Sequence, residues 1–229
     1  MSKTKIDWCD EVWNPVTGCS KISEGCKNCY AEKMAARLQK MGLYKYRNGF
    51  KVECHDDEFE KHFPSKGKRI FVNSMSDLFH PEVPFDFVDS VFTEISKHNN
   101  RHVFIILTKR PERMKEYLTS DRSNHKFAGY MCWPLKNLWL GVSVETDRYA
   151  FRADHLRDTS AAIRFLSCEP LLGPLPSLDL SGITGSLSAL NPATEPGQWT
   201  TTGHSGSSTR LTPLGAPCSL SSSAAASMQ

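Results

Sequence analysis

The chain predicts an α/β fold, a barrel-like run of parallel strands with helices between them, and three observations carry that prediction. Short apolar segments alternate with stretches of helical period, the apolar segments are nearly continuous, and each ends in a cluster of polar side chains. The apolar segments are residues 69–73, 102–107, 138–144 and 163–166, rich in β-branched and aromatic residues and too short for ordinary helices. Continuous apolarity suits strands covered on both faces, as in a parallel sheet. Between the first two lies FDFVDSVFTEISK, where Phe85, Val88, Val91, Phe92 and Ile95 recur at helical spacing. Asp86 and Asp89 stand near its start, where they complement the helix dipole. Residues 111–117 and 148–157 read as further helices, and a faint strand is expected around residues 12–16.

The polar clusters are the first functional signal. Asn73, Ser74, Ser76 and Asp77 follow the first strand, Thr108, Lys109 and Arg110 the second, Ser143 and Glu145 the third, and Ser167, Cys168 and Glu169 the fourth. In a parallel α/β barrel the carboxyl ends of the strands share one face, and catalytic groups come from several of them. The four clusters are therefore expected to converge. Each residue alone also suits a cap or turn.

Cys19, Cys26 and Cys29 are followed at once by Tyr30 and a helix-forming run over residues 31–41. Three thiolates leave one iron of a four-iron cluster without a protein ligand, an open position where a small molecule can coordinate and be reduced. The same short spacing also serves zinc, with Cys9 available as a fourth thiolate for a closed tetrahedral site. Both metals stay open at this point. Cysteines this sparse do not staple a secreted fold, and no apolar run is long enough to span a bilayer, so a reducing cytoplasm and no membrane are expected. Cys54 beside His55 gives only two neighbouring donors, and Cys168 reads as a small half-buried residue.

The formal net charge of +3 lies before Ile183, because the rest of the chain carries only Glu195 and Arg210. Between Lys33 and Arg69 the cations Lys40, Lys45, Arg47, Lys51, Lys61, Lys66, Lys68 and Arg69 are interleaved with Tyr44, Tyr46, Phe50 and Phe63. Phosphate neutralisation and base stacking need those two kinds of side chain together. The competing reading is a solvated face balanced by Asp56, Asp57, Glu58 and Glu60.

The stretch IDWCDEVWNPVTGCSKISEGCKNCYAEKMAARLQKM, residues 6–41, resembles a phage- and prophage-associated three-cysteine-motif family of unknown function read as radical S-adenosylmethionine (SAM) proteins. The likeness continues through IFVNSMSDLFH, LTKRPERM, LWLGVSVET and RFLSCEPLLGP, over roughly the first 180 residues. It implies a partial (β/α) barrel of radical-SAM type, a 4Fe-4S cluster on Cys19, Cys26 and Cys29, and SAM on the open iron. The polar strand ends would then hold SAM: Lys109 or Arg110 on its carboxylate, and Ser143, Glu145 or Glu169 on its amino group or ribose. The first cysteine gap is six residues, longer than the usual C-x3-C-x2-C of radical-SAM proteins, while the closing C-x2-C-aromatic is kept. The phage association, with the basic stretch, suggests nucleic acid or a nucleotide as substrate and a protein partner encoded nearby. The non-enzymatic alternative is a zinc-stabilised module that grips nucleic acid.

Two segments result, a cysteine-loop domain over residues 1–182 and a tail over residues 183–229 dominated by Ser, Thr, Ala, Gly and Pro. Such a tail cannot bury enough apolar surface to offset its ordering entropy. The resembling family continues here with a strand of the form DWVIVGGESG followed by GARPM. If one base is dropped after the codon for Ile183, codons exist for residues 184–204 whose displaced frame encodes DWVIVSAESGNGARPMDDDWA. The tail is therefore expected to be frameshifted and without regular structure, the barrel incomplete at its C-terminus, and the activity of this chain impaired.

Overall fold

The computed structural model describes residues 2–4, 6–120 and 134–187. Its centre is a sheet of seven strands: β1 (Ser2–Lys3), β2 (Glu11–Trp13), β5 (Arg69–Val72), β6 (Val103–Thr108), β7 (Leu138–Ser143), β8 (Ile163–Ser167) and β9 (Gly185–Leu187), side by side in that order. Only β1 runs antiparallel to its neighbour; every other pairing is parallel. A separate two-stranded ribbon joins β3 (Val16–Thr17) to β4 (Glu53–Cys54). The α/β class and the parallel sheet agree with the sequence reading.

The helices that return the chain between parallel strands are α2 (Phe85–Lys97), α3 (Pro111–Thr119) and α4 (Phe151–Arg157). Helix α1 (Tyr30–Lys40) follows the cysteines. Of the expected apolar stripe of α2, Val88, Val91, Phe92 and Ile95 are buried and Phe85 is partly so, and with Met114, Tyr117 and Leu156 they pack on Ile70, Val72, Phe104, Ile106, Leu140 and Val142. These strand residues occupy alternate positions and so point to one face. Asp89 does not act at the helix start as expected; it is buried and accepts a hydrogen bond from the Tyr117 hydroxyl at 2.9 Å.

The other face carries Val12, Phe71, Ile105, Leu107, Trp139 and Phe165, with Trp8 against it. Both faces are apolar, which is why the strands read as continuous runs. Gly141 lies between Leu107 and Phe165 in register, and a Cβ there would sit 2.3 Å from the Phe165 ring. Glycine at this strand position makes room for an aromatic ring.

The tail begins differently from expectation. Gly185–Leu187 form β9, hydrogen-bonded in parallel to β8, and Thr184 donates to the Arg164 carbonyl at 2.8 Å. Three residues suffice here because an open parallel edge offers unpaired backbone groups. The rest of the expected tail, residues 188–229, lies outside the described residues.

Candidate functional site

The cysteine loop leaves β3 through Gly18, whose φ is +81° and whose Cβ, if present, would lie 2.0 Å from the Lys51 carbonyl oxygen. Only glycine fits such a turn. The chain on either side is stitched to the carboxyl end of β5. Gly18 bridges to Ser76 and donates to the Met75 carbonyl at 3.0 Å, Asn73 Oδ1 accepts from the Val16 amide at 3.1 Å, and Ser76 Oγ donates to the Val16 carbonyl at 2.9 Å. Asn73 itself has φ 64° and keeps a buried Nδ2 without a partner among the described residues.

Cys19 comes next, and its Sγ accepts from Arg110 Nη1 at 3.4 Å. The same guanidinium donates to the Ser20 carbonyl at 2.9 Å, to Ser20 Oγ at 3.0 Å and to Asp77 Oδ2 at 3.1 Å. Asp77 also accepts from Thr108 Oγ1 at 2.7 Å and from the Lys109 amide at 3.1 Å, so it ties the ends of β5 and β6 together. His80 Nδ1 accepts from the Glu82 amide, which places the ring proton on Nε2, where it is donated to Ser20 Oγ at 2.7 Å. Burial holds that imidazole below its ordinary pKa, in keeping with a neutral ring.

Farther along the loop the anchor is Glu145, wholly buried after β7. Its carboxylate accepts from Ser23 Oγ at 2.7 Å, Lys109 Nζ at 2.6 Å and Arg152 Nη1 at 2.8 Å. Burial favours its neutral form, but Lys109, Ser23 and Arg152 outweigh burial and lower its pKa. Gly25 lies so close that a Cβ would meet Glu145 Oε1 at 2.5 Å. Glu24 accepts from the Tyr149 hydroxyl and pairs with Arg148 at 3.3 Å. The loop therefore rests on the carboxyl ends of β5, β6 and β7 together.

The three thiols are free and half-buried. Burial, aided by Asp77, pushes the Cys19 thiol up against the opposing pull of Arg110. Burial works against ionisation of Cys26 as well, yet hydrogen bonds at Ile22 and Ser23 and the Lys109 ammonium outweigh it and hold that thiol below its ordinary value. Cys29 caps α1 and packs toward Ala31, Ala35, Tyr46 and Met75. As a donor set, three thiols, Cys19 beside Arg110 and Cys26 beside Lys109, are of the soft kind that thiolate-bound metal centres use. Among the described residues, no three His, Cys, Asp or Glu side chains are already gathered as a metal-ligand group.

The chain belongs to the family described as protein of unknown function, DUF5131. The match covers residues 3–215, which includes the whole cysteine loop and all four polar strand ends. No curated protein and no solved structure matches the chain.

Within this DUF5131 domain, many of the strand-end residues expected to face a ligand are committed to holding the loop. Asn73, Ser76, Asp77, Thr108, Lys109, Arg110 and Glu145 hydrogen-bond to the loop or to one another, and Ser74 Oγ donates to Asn14 Oδ1 at 3.1 Å. Ser143 and Ser167, partners in register on β7 and β8, keep hydroxyls that bond to no other described side chain, and Glu169 is exposed. A cleft of about 380 Å³ opens beside the loop, lined among others by Ile22, Lys109, Arg113, Tyr149, Phe151 and Arg152. Ser20, Ser23, Gly25, His80 and Arg152 were not singled out by sequence, because their partners lie 60 or more residues away, or, for Arg152, on a helix that looked only amphipathic.

Cys9 does not join the other three. It is buried with Val12 and Phe71 near Arg69, at the amino end of β5, and burial pushes its thiol to about 12. It precedes β2, whereas Cys19, Cys26 and Cys29 follow β3. Cys54 is likewise pushed to about 11 by burial, and His55 Nε2 is engaged by Thr17 Oγ1 at 2.7 Å. The basic stretch divides: Lys45 and Lys61 pair with Glu58, Arg47 with Glu53, and Arg69 with Asp10, while Tyr46, Phe50 and Phe63 pack inward. Lys40, Lys51, Lys66 and Lys68 form no ion pair among the described residues, and Tyr44 is exposed.

Proposed function

We propose that this chain is a radical-SAM-type iron–sulfur enzyme of phage origin and of the cytoplasm, acting on nucleic acid or a nucleotide, with its parallel strands forming part of a (β/α) barrel. The observation that carries the reading is the hydrogen bond from Arg110, at the end of β6, to the sulfur of Cys19. It sets a three-thiol loop against the carboxyl ends of a parallel sheet, the edge where α/β enzymes collect their reactive groups. Cys19, Cys26 and Cys29 would hold the cluster. Such a cluster would supply one-electron reduction of SAM, the chemistry needed to activate an unreactive C–H bond.

The chain's own residues orient and shield. Arg110 fixes the direction of the Cys19 sulfur, and Glu145, through Ser23 and Lys109, fixes the stretch that carries Cys26. The Ser143 and Ser167 hydroxyls and the Glu169 carboxylate remain for the polar groups of SAM. A protein partner encoded nearby belongs to the same reading, as does a displaced frame after Ile183. A chain with the frame restored is therefore the companion sample in any activity assay.

Anaerobic reconstitution with iron and sulfide should give a brown protein with broad absorption toward the blue end of the visible range. Cys26→Ala or Cys29→Ala should abolish it, and Cys9→Ser should leave it intact. A colourless protein that binds zinc through Cys9 would refute the enzyme and support the zinc module instead.

A further inference from the structure

The exposed face of α1 carries a row of cations that the ion pairs of the neighbouring segment leave untouched. Lys33, Arg37 and Lys40 are spaced i, i+4, i+7, so they share one side of the helix, and all three are exposed. The buried side, Ala31 and Ala35 with Leu38, points the opposite way. Among the described residues none of the three forms an ion pair; the one acid of the helix, Glu32, is taken by Lys21 at 2.8 Å. Tyr30, 63% exposed, stands at the first residue of the helix on the same side, and Tyr44, 76% exposed, stands in the turn that follows it. The Arg47 guanidinium lies over the Tyr44 ring at 4.1 Å.

We infer that this ridge binds the backbone of a single-stranded nucleic acid. Unpaired cations recognise phosphates and gain by releasing counterions, while exposed aromatic rings at either end offer stacking surfaces that only unpaired bases can use. From Lys33 to Lys40 the helix rises about 10 Å. The first residue of α1 directly follows Cys29, so a strand held on the ridge is led to the cysteine loop. An acidic protein surface would use the cations and not the tyrosines, and an anionic membrane would want an apolar face where this helix has lysine and arginine. The inference names the substrate class of the proposed enzyme and rests on that reading only for its catalytic purpose; the binding itself needs no cluster.

The test is fluorescence anisotropy of the full chain with labelled single-stranded DNA and RNA oligonucleotides over a salt series, with the matching duplex and anionic phospholipid vesicles as competitors. The expected result is single-strand binding, unchanged by Cys26→Ala, that the triple variant Lys33→Glu, Arg37→Glu, Lys40→Glu weakens about tenfold or more, with the salt slope falling by about two. Tyr30→Ala with Tyr44→Ala should weaken single strands more than duplex, and the control Lys66→Glu with Lys68→Glu should change neither. Equal binding by wild type and triple variant, binding to vesicles or duplex in preference to single strands, or no binding at all would overturn the inference. A colourless protein that still binds oligonucleotide through the ridge would sink the enzyme reading alone.

Discussion

Replacing Glu145 by Gln tests whether the cysteine loop is held by charge. The substitution keeps shape and removes the one carboxylate that faces Lys109, Arg152 and Ser23. The two cations then respond differently. The Lys109 side chain is 19% exposed and can turn toward water, whereas that of Arg152, at 2%, cannot. Breaking a buried pair from one side costs about 3–5 kcal/mol, because an uncompensated charge stays buried. With Lys109 relieved, and with Arg152 keeping its 2.8 Å bond to the Ser143 carbonyl, the lower end, about 3 kcal/mol, is expected. Against a total of about 5–15 kcal/mol this is a large fraction. Urea unfolding should show a lowered midpoint with an unchanged slope. Below the urea transition, Cys19 and Cys26 should react faster with a thiol reagent, because Ser23 has lost its charged acceptor. A loss below about 1 kcal/mol with unchanged thiol reactivity would show that the carboxylate does not hold the loop.

Gly25→Ala should also loosen the loop, by about 1–3 kcal/mol, since its Cβ would enter the space of the Glu145 carboxylate; Gly173→Ala, with open space around it, should be neutral in the same unfolding assay. Stability should fall as the medium is acidified through the histidine range. Burial lowers the pKa of His55, His80 and His102, so the unfolded chain takes up protons first, from about pH 6.5 downward, and stability present above that value is lost as pH falls toward the folded values. Unfolding midpoints measured from pH 8 to 5 on the wild type and on His55→Gln with His80→Gln check this, and equal slopes in the two proteins would contradict it.

The sheet and its helices were legible because their signals are local. The apolar runs at residues 69–73, 102–107, 138–144 and 163–166 became β5 to β8 with ends shifted by a residue or so, and α2 covers the thirteen residues its period marked. Strand β9 was hidden because Gly185–Leu187 has no strand-like composition and is ordered by the edge it meets. The position of the cysteine loop followed from topology: a loop after one parallel strand lies beside the loops after the others. The partners of the polar residues did not follow. Asp77 and Glu145 read as ligand-facing groups, and which cations reach a buried carboxylate is set by the fold. Arg110 is 33 residues from Asp77, and Ser23 is 122 from Glu145. The division of the basic stretch was hidden for the same reason, since Glu58, one acid in sequence, neutralises two lysines in space.

The sign of charge alternates around the carboxyl edge of the sheet: Asp77 after β5, Lys109 and Arg110 after β6, Glu145 after β7, and Arg152 behind it on α4. The Asp77–Arg110 and Lys109–Glu145 pairs each bridge two strand ends, the Arg152–Glu145 pair joins a strand end to α4, and the network touches the cysteine loop at Ser20 and Cys19 through Arg110 and at Ser23 through Glu145. The loop is thus fastened by bonds that owe nothing to a metal. In a small zinc fold, coordination supplies the folding energy and the ligand loop is unfolded without it. Here the loop already has a conformation, and a metal centre would have only to draw three thiols together. Arg110 links the two halves of this design. It closes the charge network by pairing with Asp77 and also donates to the Cys19 sulfur, so the group that holds the loop in place is itself bonded to one of its three thiols.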